Sequence, residues 1–146
     1  MESLLKNVKV TRVAAAAVAG TSDVESSFVD MAGFDGVMFV ALLGDVTSGS
    51  VLALKASQNI VDSATGDAKL VGSAAFTAGA SDADSKALVL DVRRPCERYV
   101  CAILERGTQN AVVDGIIAIQ YNAQSMPTTQ AASVIASALI NDPAEA

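Results

Sequence analysis

The chain has 146 residues, no histidine, no tryptophan and two cysteines, and its formal net charge is −6. Without imidazole there is no Ser-His or Cys-His nucleophile pair and no histidine metal ligand, so we expect no enzyme, no metal and no other cofactor. The acidic balance disfavours nucleic-acid binding, which needs clustered Lys and Arg. Hydrophobic residues make up 51% of the chain. One domain of this size can hardly hide them all, which predicts a homo-oligomer.

The N-terminal half contains short apolar runs separated by turn residues, a pattern typical of β-strands. Strands are predicted over residues 6–18, 24–30, 36–43 and 51–58. The first run is too alanine-rich for a secretion signal, and no run reaches the roughly 18 apolar residues of a membrane span. Residues 37–43 are apolar without alternation, which indicates a strand covered on both faces, inside a sandwich or at a subunit contact.

The C-terminal half continues this pattern after a weakly marked region over residues 59–79. Residues 86–94 alternate, which directs one set inward (Leu88, Leu90, Val92) and another outward (Asp91, Arg93). Further strands are predicted over 98–105 and 112–121. In the last strand, one face carries Val113, Ile117, Ile119 and Tyr121, and the other carries Asp114 and Gln120. Seven or eight short strands predict an all-β, jelly-roll-like sandwich.

The C-terminal segment has a different composition from the rest. Residues 130–141 place apolar side chains at helical spacing, and the segment is rich in Ala and Ser. We therefore expect a sandwich domain over residues 1–125 and a C-terminal arm or short helix over residues 126–146.

Carboxylates are the remaining candidates for site chemistry. Asp82 and Asp84 share a polar loop that lacks the glycine and glutamate of a calcium-binding loop, so no metal site is predicted there. Asp114 lies within a strand, where it faces solvent or pairs with Arg94 or Arg98 and fixes strand register.

The two cysteines, Cys96 and Cys101, are five residues apart. Along a strand this places them on opposite faces and about 16 Å apart, too far for a disulfide. We expect free, buried thiols in a reducing compartment.

Three stretches within residues 34–122 resemble a group of small tailed-phage virion proteins, the capsid decoration or cement proteins. They are residues 34–39 (FDGVMF), 91–100 (DVRRP followed by RYV) and 108–121 (TQNAVVDGIIAIQY). The resemblance implies a jelly roll on the capsid exterior, assembled in the host cytoplasm. It also implies a homodimer or homotrimer that bridges major capsid protein subunits, with no nucleic-acid or membrane partner.

Partner contacts are expected on the apolar strand over residues 36–43 and in the basic region over residues 86–106. The residues assigned to them are Val37, Phe39, Arg93, Arg94 and Arg98. Two alternatives stay open. One is another virion component, such as a head–tail connector or head-fibre base, and the other is a glycan-binding jelly-roll module.

Overall fold

The structure, a computed structural model, describes residues 3–141. Within that range it contains one helical turn and eleven strand segments. They are α1 Leu4–Asn7, β1 Lys9–Ala14, β2 Ala17–Gly20, β3 Val24–Glu25, β4 Val29–Asp30, β5 Gly36–Val46, β6 Val51–Asn59, β7 Ala68–Lys69, β8 Ala74–Thr77, β9 Ala87–Arg93, β10 Tyr99–Gly107 and β11 Ala111–Tyr121. No helix in residues 3–141 has the length and apolar character needed to cross a membrane.

The strands form two antiparallel sheets. Sheet 1 has the order β1-β11-β5-β9, with β2 also on β11, and sheet 2 has the order β3-β10-β6-β7, with β4 on β10 and β8 on β6. Two consecutive segments that pair with the same neighbouring strand count as one strand, which joins β1 with β2, β3 with β4, and β7 with β8. The sandwich then has eight strands, and when these are numbered along the chain their order is 1-8-3-6 in sheet 1 and 2-7-4-5 in sheet 2. This is the strand order of a jelly roll. The predicted all-β, jelly-roll-like sandwich is confirmed.

The core lies between the sheets and is formed by alternate residues of the long central strands. Val37, Phe39 and Ala41 of β5 point inward and are completely buried. They pack against fully buried side chains of sheet 2, namely Leu52, Leu54, Val100 and Leu104. Burying one such Val, Leu or Phe side chain stabilises the fold by about 1.5–3 kcal/mol.

A β-bulge interrupts β11. Its register against β5 pairs Val113 with Leu43 but Gly115 with Leu42, so the strand carries one extra residue here. Gly115 adopts φ 146°, a conformation that side chains disfavour. The bulge reverses the alternation after it, so Val113 faces the core but the later apolar residues (Ile117, Ile119, Tyr121) face outward. The predicted common face for these four residues is therefore wrong.

An irregular arm follows β11 and runs along the free edge of β1. Thr128 donates from its hydroxyl to the Val8 carbonyl at 2.6 Å. Ser133 Oγ accepts from the Arg12 amide at 2.9 Å. Side chains of the arm thus supply partners that a neighbouring strand would otherwise supply.

The arm contains no helix over residues 126–141. Of the two forms expected for this segment, arm or short helix, the described part adopts the arm, and residue 142 onward lies outside the described residues. The physical reason is local. An isolated stretch of about 12 residues rarely stays helical in water, and here polar side chains bond β1 instead.

Candidate partner-binding surfaces

Two of the residues predicted to bind a partner lie in the core. Val37 and Phe39 have no exposed surface, so they cannot contact another molecule, and this assignment is wrong. The cause is the phase of β5, in which the odd-numbered residues from Val37 to Leu43 face inward. The neighbours Met38, Val40 and Leu42 point to the opposite, outer side.

Arg98 is engaged within the chain. Its Nε and Nη2 donate to the two carboxylate oxygens of Asp30, each at 2.8 Å, and its guanidinium lies 5.3 Å from the ring centre of Tyr99. This hydrogen bond lowers the pKa of Asp30, which also accepts from the Ala32 amide at 3.0 Å. The fork joins the start of β10 to β4, so Arg98 has a structural partner before any docking.

Arg93 and Arg94 differ from Arg98 in their surroundings. Both are exposed at the end of β9, and neither forms an ion pair with the part of the chain that the structure describes. Arg94 adopts a left-handed backbone conformation, φ 51°, and its amide donates to the Asp35 carbonyl at 2.7 Å. Two exposed arginines therefore follow one another in sequence where β9 ends, and a backbone hydrogen bond fixes the turn at Arg94.

A groove of about 300 Å³ opens beside these arginines, between the edges of the two sheets. Gln58 positions one wall, because its Oε1 accepts from the Cys96 amide at 3.0 Å. The lining combines the two arginines and one carboxylate, Asp91, with apolar side chains, namely Leu70, Val71, Leu90 and Val92. Such a mixed groove can receive an acidic and partly apolar segment of a partner.

Both cysteines are free thiols, as the spacing predicts. Cys101 is buried, and burial raises its pKa to about 11. Cys96 is exposed, so the prediction of burial holds for one thiol and is wrong for the other.

Asp114 is exposed and does not pair with Arg94 or Arg98, so the solvent-facing form is confirmed of the two that were predicted. Its backbone carbonyl instead accepts from Arg12 Nη2 at 3.0 Å, and Arg12 Nε also donates to the Ala14 carbonyl at 3.4 Å. Arg12 therefore bridges β1 to the bulge of β11.

The loop carboxylates Asp82 and Asp84 serve the backbone. Asp82 accepts from the Gly79 amide at 2.7 Å, and Asp84 accepts from the Val46 amide at 2.8 Å. No group of three or more Cys, Asp or Glu side chains suited to a metal ion occurs within residues 3–141.

Arg106 belongs to the predicted basic region but is only 6% exposed. Its guanidinium donates to three backbone carbonyls, those of Ser22 at 2.7 Å, Val18 at 2.8 Å and Ala111 at 2.6 Å. It therefore ties the β2–β3 loop to β10 and β11 and is unavailable to a partner. No local sequence signal separates it from Arg93.

The outer face of sheet 1 is a second candidate surface, and it includes the strand over residues 36–43 on which contacts are expected, although through Met38, Val40 and Leu42 in place of Val37 and Phe39. Register aligns its outward apolar side chains in adjacent rows: Val10, Ile119 and Met38, then Ile117, Val40 and Val89, with Leu42 beyond. The outer face of sheet 2 differs, because its apolar residues Cys101 and Ile103 are buried and Lys55 Nζ lies 2.9 Å from both Glu105 carboxylate oxygens. The unalternated run over residues 37–43 is the sequence signal for the first of these faces.

Comparison with known proteins identifies no family. No protein-family model and no curated protein matches the chain. Among solved structures, it is similar to a chain of the Bacillus endospore appendages, a family of disulfide-linked pili, at 14% identity. That match covers 82% of this chain and 91% of the other, with a TM-score of 0.43.

The chain is also similar to Eiger TNF from S. frugiperda at 10% identity, over 86% of this chain and 91% of the other, with a TM-score of 0.38. Identities and TM-scores this low carry no information about function. The jelly-roll assignment stands on the strand order described above, and the comparisons agree only with an all-β sandwich.

Proposed function

We propose that the protein is a capsid decoration protein of a tailed phage. In this proposal it is a homo-oligomer on the exterior of the virion, assembled in the host cytoplasm. It bridges major capsid protein subunits and carries out no catalysis. The proposal rests on the resemblance of residues 34–122 to small virion proteins and on a rigid jelly roll whose polar side chains mainly serve its own backbone.

The placement of the docking surface rests on the exposure of Arg93 and Arg94. In a chain of net charge −6, these two exposed guanidinium groups stand beside an open groove. Because a homo-oligomer links several copies of this pair in one particle, modest attractions at each copy add up to firm attachment of the oligomer. The pair therefore suits a repeated contact with an acidic surface of the shell.

A glycan-binding role finds less support. Sugar sites rest on exposed aromatic side chains, and the chain has no tryptophan. Tyr99 lies beneath the guanidinium of Arg98. Tyr121 covers Gly36 and donates to Asp91 at 2.7 Å.

The test is co-sedimentation of the purified protein with undecorated capsid shells. The double reversal Arg93→Glu with Arg94→Glu is compared with Lys6→Glu with Lys86→Glu, which makes the same change in net charge at other exposed positions. We expect the wild type and the lysine variant to bind and to raise the melting temperature of the shells. We expect the arginine variant to lose at least about tenfold in affinity.

Equal losses of affinity in both variants would show that net charge governs binding, and the docking site at Arg93 and Arg94 would then be rejected. A wild type that ignores shells but binds purified portal or tail components would instead make the protein a connector. Binding on a glycan array without shell binding would favour the glycan-binding alternative.

A further inference from the structure

The two outer faces of the sandwich differ in a way that requires an explanation. An antiparallel sheet in contact with water ordinarily keeps large apolar side chains off its wet face. In sheet 2 the outward apolar residues of the central strand β10, Cys101 and Ile103, are themselves buried. In sheet 1 the central strands β5 and β11 carry apolar residues on both sides, and Leu42 and Val89 of the outer face remain exposed. The outer side of sheet 1 is built to be covered.

The chain covers only the border of this face. Arm residues 133–136 line a groove of about 380 Å³ together with Val10, Leu42 and Ile117. Leu42 remains 38% exposed and Val89 remains 49% exposed. Ile135 of the arm is 99% exposed, so the arm extends the apolar surface.

The charges at the border are opposite in sign on opposite sides. Arg12 lies on β1, in the row of Ile117, and Asp91 lies on β9, in the adjacent row of Met38. Tyr121 bonds only one carboxylate oxygen of Asp91. Arg93 and Asp114 lie further out, toward opposite ends of the strands.

From this arrangement we infer that the outer face of sheet 1 binds a second copy of the same chain. The two-fold axis runs parallel to the strands, so β1 of one copy faces β9 of the other. Ile117 then stacks on the partner subunit's Val40, and Arg12 reaches the partner subunit's Asp91 twice, once on each side of the axis. An axis perpendicular to the strands would instead bring like charges together, which opposes association.

The flat area of the face alone is about half of what each partner buries in a standard interface. Four strands about 4.8 Å apart and seven residues of about 3.3 Å give a flat area of roughly 400 Å² per copy. A standard interface buries about 800 Å² per partner. We assign the remaining area to side chains that project from the flat sheet and to the arm, in whose described part Ile135 is the most exposed large apolar residue.

This inference specifies the homo-oligomer of the proposed function as a dimer and names its surface, but it does not need the capsid. The test is sedimentation equilibrium of the purified full chain under reducing conditions, without shells. Val40→Lys places a charge at the centre of the face. Ala53→Lys is its matched control, a small outward residue of β6 at the centre of sheet 2. We expect the wild type and Ala53→Lys to dimerise, and Val40→Lys to raise the dimer Kd at least about tenfold.

Charge reversal tests the orientation and also covers the case in which Val40→Lys fails to fold. Arg12→Asp and Asp91→Arg should each weaken the dimer, and the double variant should restore its Kd to within about threefold of wild type. A wild type that stays monomeric, or a folded Val40→Lys that dimerises normally, overturns the inference. Failure of the double variant to recover overturns the orientation. Loss of shell binding with an intact dimer would instead concern only the capsid proposal.

Discussion

Gln130 forms two hydrogen bonds with the backbone at the start of β1: its Oε1 accepts from the Val10 amide at 2.7 Å, and its Nε2 donates to the carbonyl of Val8, the residue before β1, at 2.8 Å. One side-chain amide therefore takes the place of a neighbouring strand. Gln130→Ala should lower the free energy of unfolding by about 1–2 kcal/mol, because two partly buried hydrogen bonds are lost.

Urea denaturation measures this change, and hydrogen exchange of the Val10 amide locates it. Gln124→Ala is the control, since Gln124 is exposed and forms no side-chain hydrogen bond within residues 3–141. Equal stabilities of the two variants would mean that water replaces Gln130 at the edge without loss.

Arg106 should be the arginine whose loss most weakens the fold. Arg106→Ala leaves one buried and two partly buried carbonyls without their donor, which we expect to cost about 3 kcal/mol. Arg94→Ala, at an exposed position, should change stability by less than about 0.5 kcal/mol. Urea denaturation of both variants checks the order, and a reversal would show that the buried site rehydrates.

The Asp30–Arg98 fork should contribute to acid sensitivity. The hydrogen bond from Arg98 holds the pKa of Asp30 below its ordinary value. The contribution to stability is therefore present above the unfolded pKa of about 4 and is lost as the pH falls through the folded pKa. Asp30→Asn removes the titrating group, so its melting temperature should fall less than that of the wild type when the pH drops below about 4. Parallel curves for the two proteins would contradict this.

The two thiols should react at very different rates. Cys96 is exposed, whereas Cys101 is buried with its pKa raised to about 11, so little of its thiolate exists at neutral pH. A disulfide reagent should modify one thiol per native chain and two after denaturation. Cys96→Ser should abolish the native reaction, and Cys101→Ser should leave it intact. Modification of Cys101 in the native protein would show that β10 opens readily.

Gly36 should control the ionisation of Tyr121. Burial and the bond to Asp91 raise the pKa of Tyr121 to about 12, and a Cβ at residue 36 would overlap the Tyr121 ring. Gly36→Ala should displace the ring and lower its pKa toward the ordinary value of about 10. In a Tyr99→Phe background, phenolate absorbance during an alkaline titration reports this group alone. An unchanged midpoint would mean that the backbone moves and the ring stays.

The raised pKa also has a consequence for stability. The neutral phenol favours the folded state fully below about pH 10, and that contribution disappears as the pH rises from about 10 to 12. Tyr121→Phe should therefore flatten the alkaline fall in melting temperature. An alkaline transition identical to that of the wild type would assign it to other groups.

How well the sequence predicted each element depended on its environment. The strand over 86–94 was placed correctly, with Leu88 inward and Asp91 outward, because a half-exposed strand shows a period of two. In β5 both faces are apolar, so the sequence does not show which residues point inward. The sequence-based assignment therefore places Val37 at the surface, where the structure has Val40.

Other features had no local signal. Arg93 and Arg106 are the same residue type in the same basic region, and only the tertiary fold decides which one is buried. The apolar residues of the arm have helical spacing, but an isolated helix of this length is barely stable in water. Polar side chains such as Gln130 form hydrogen bonds with the open edge of β1 instead.

The extra residue at Gly115 determines the chemical character of one whole side of the molecule. If β11 kept a single alternation from Val113 onward, Ile116, Ala118 and Gln120 would face solvent, and Ile117, Ile119 and Tyr121 would fill the interior. A change of one residue in strand length therefore exchanges a small, partly polar exterior for a large aliphatic one. In the dimer that we propose, the association surface depends on the length of the chain at the bulge as much as on its composition.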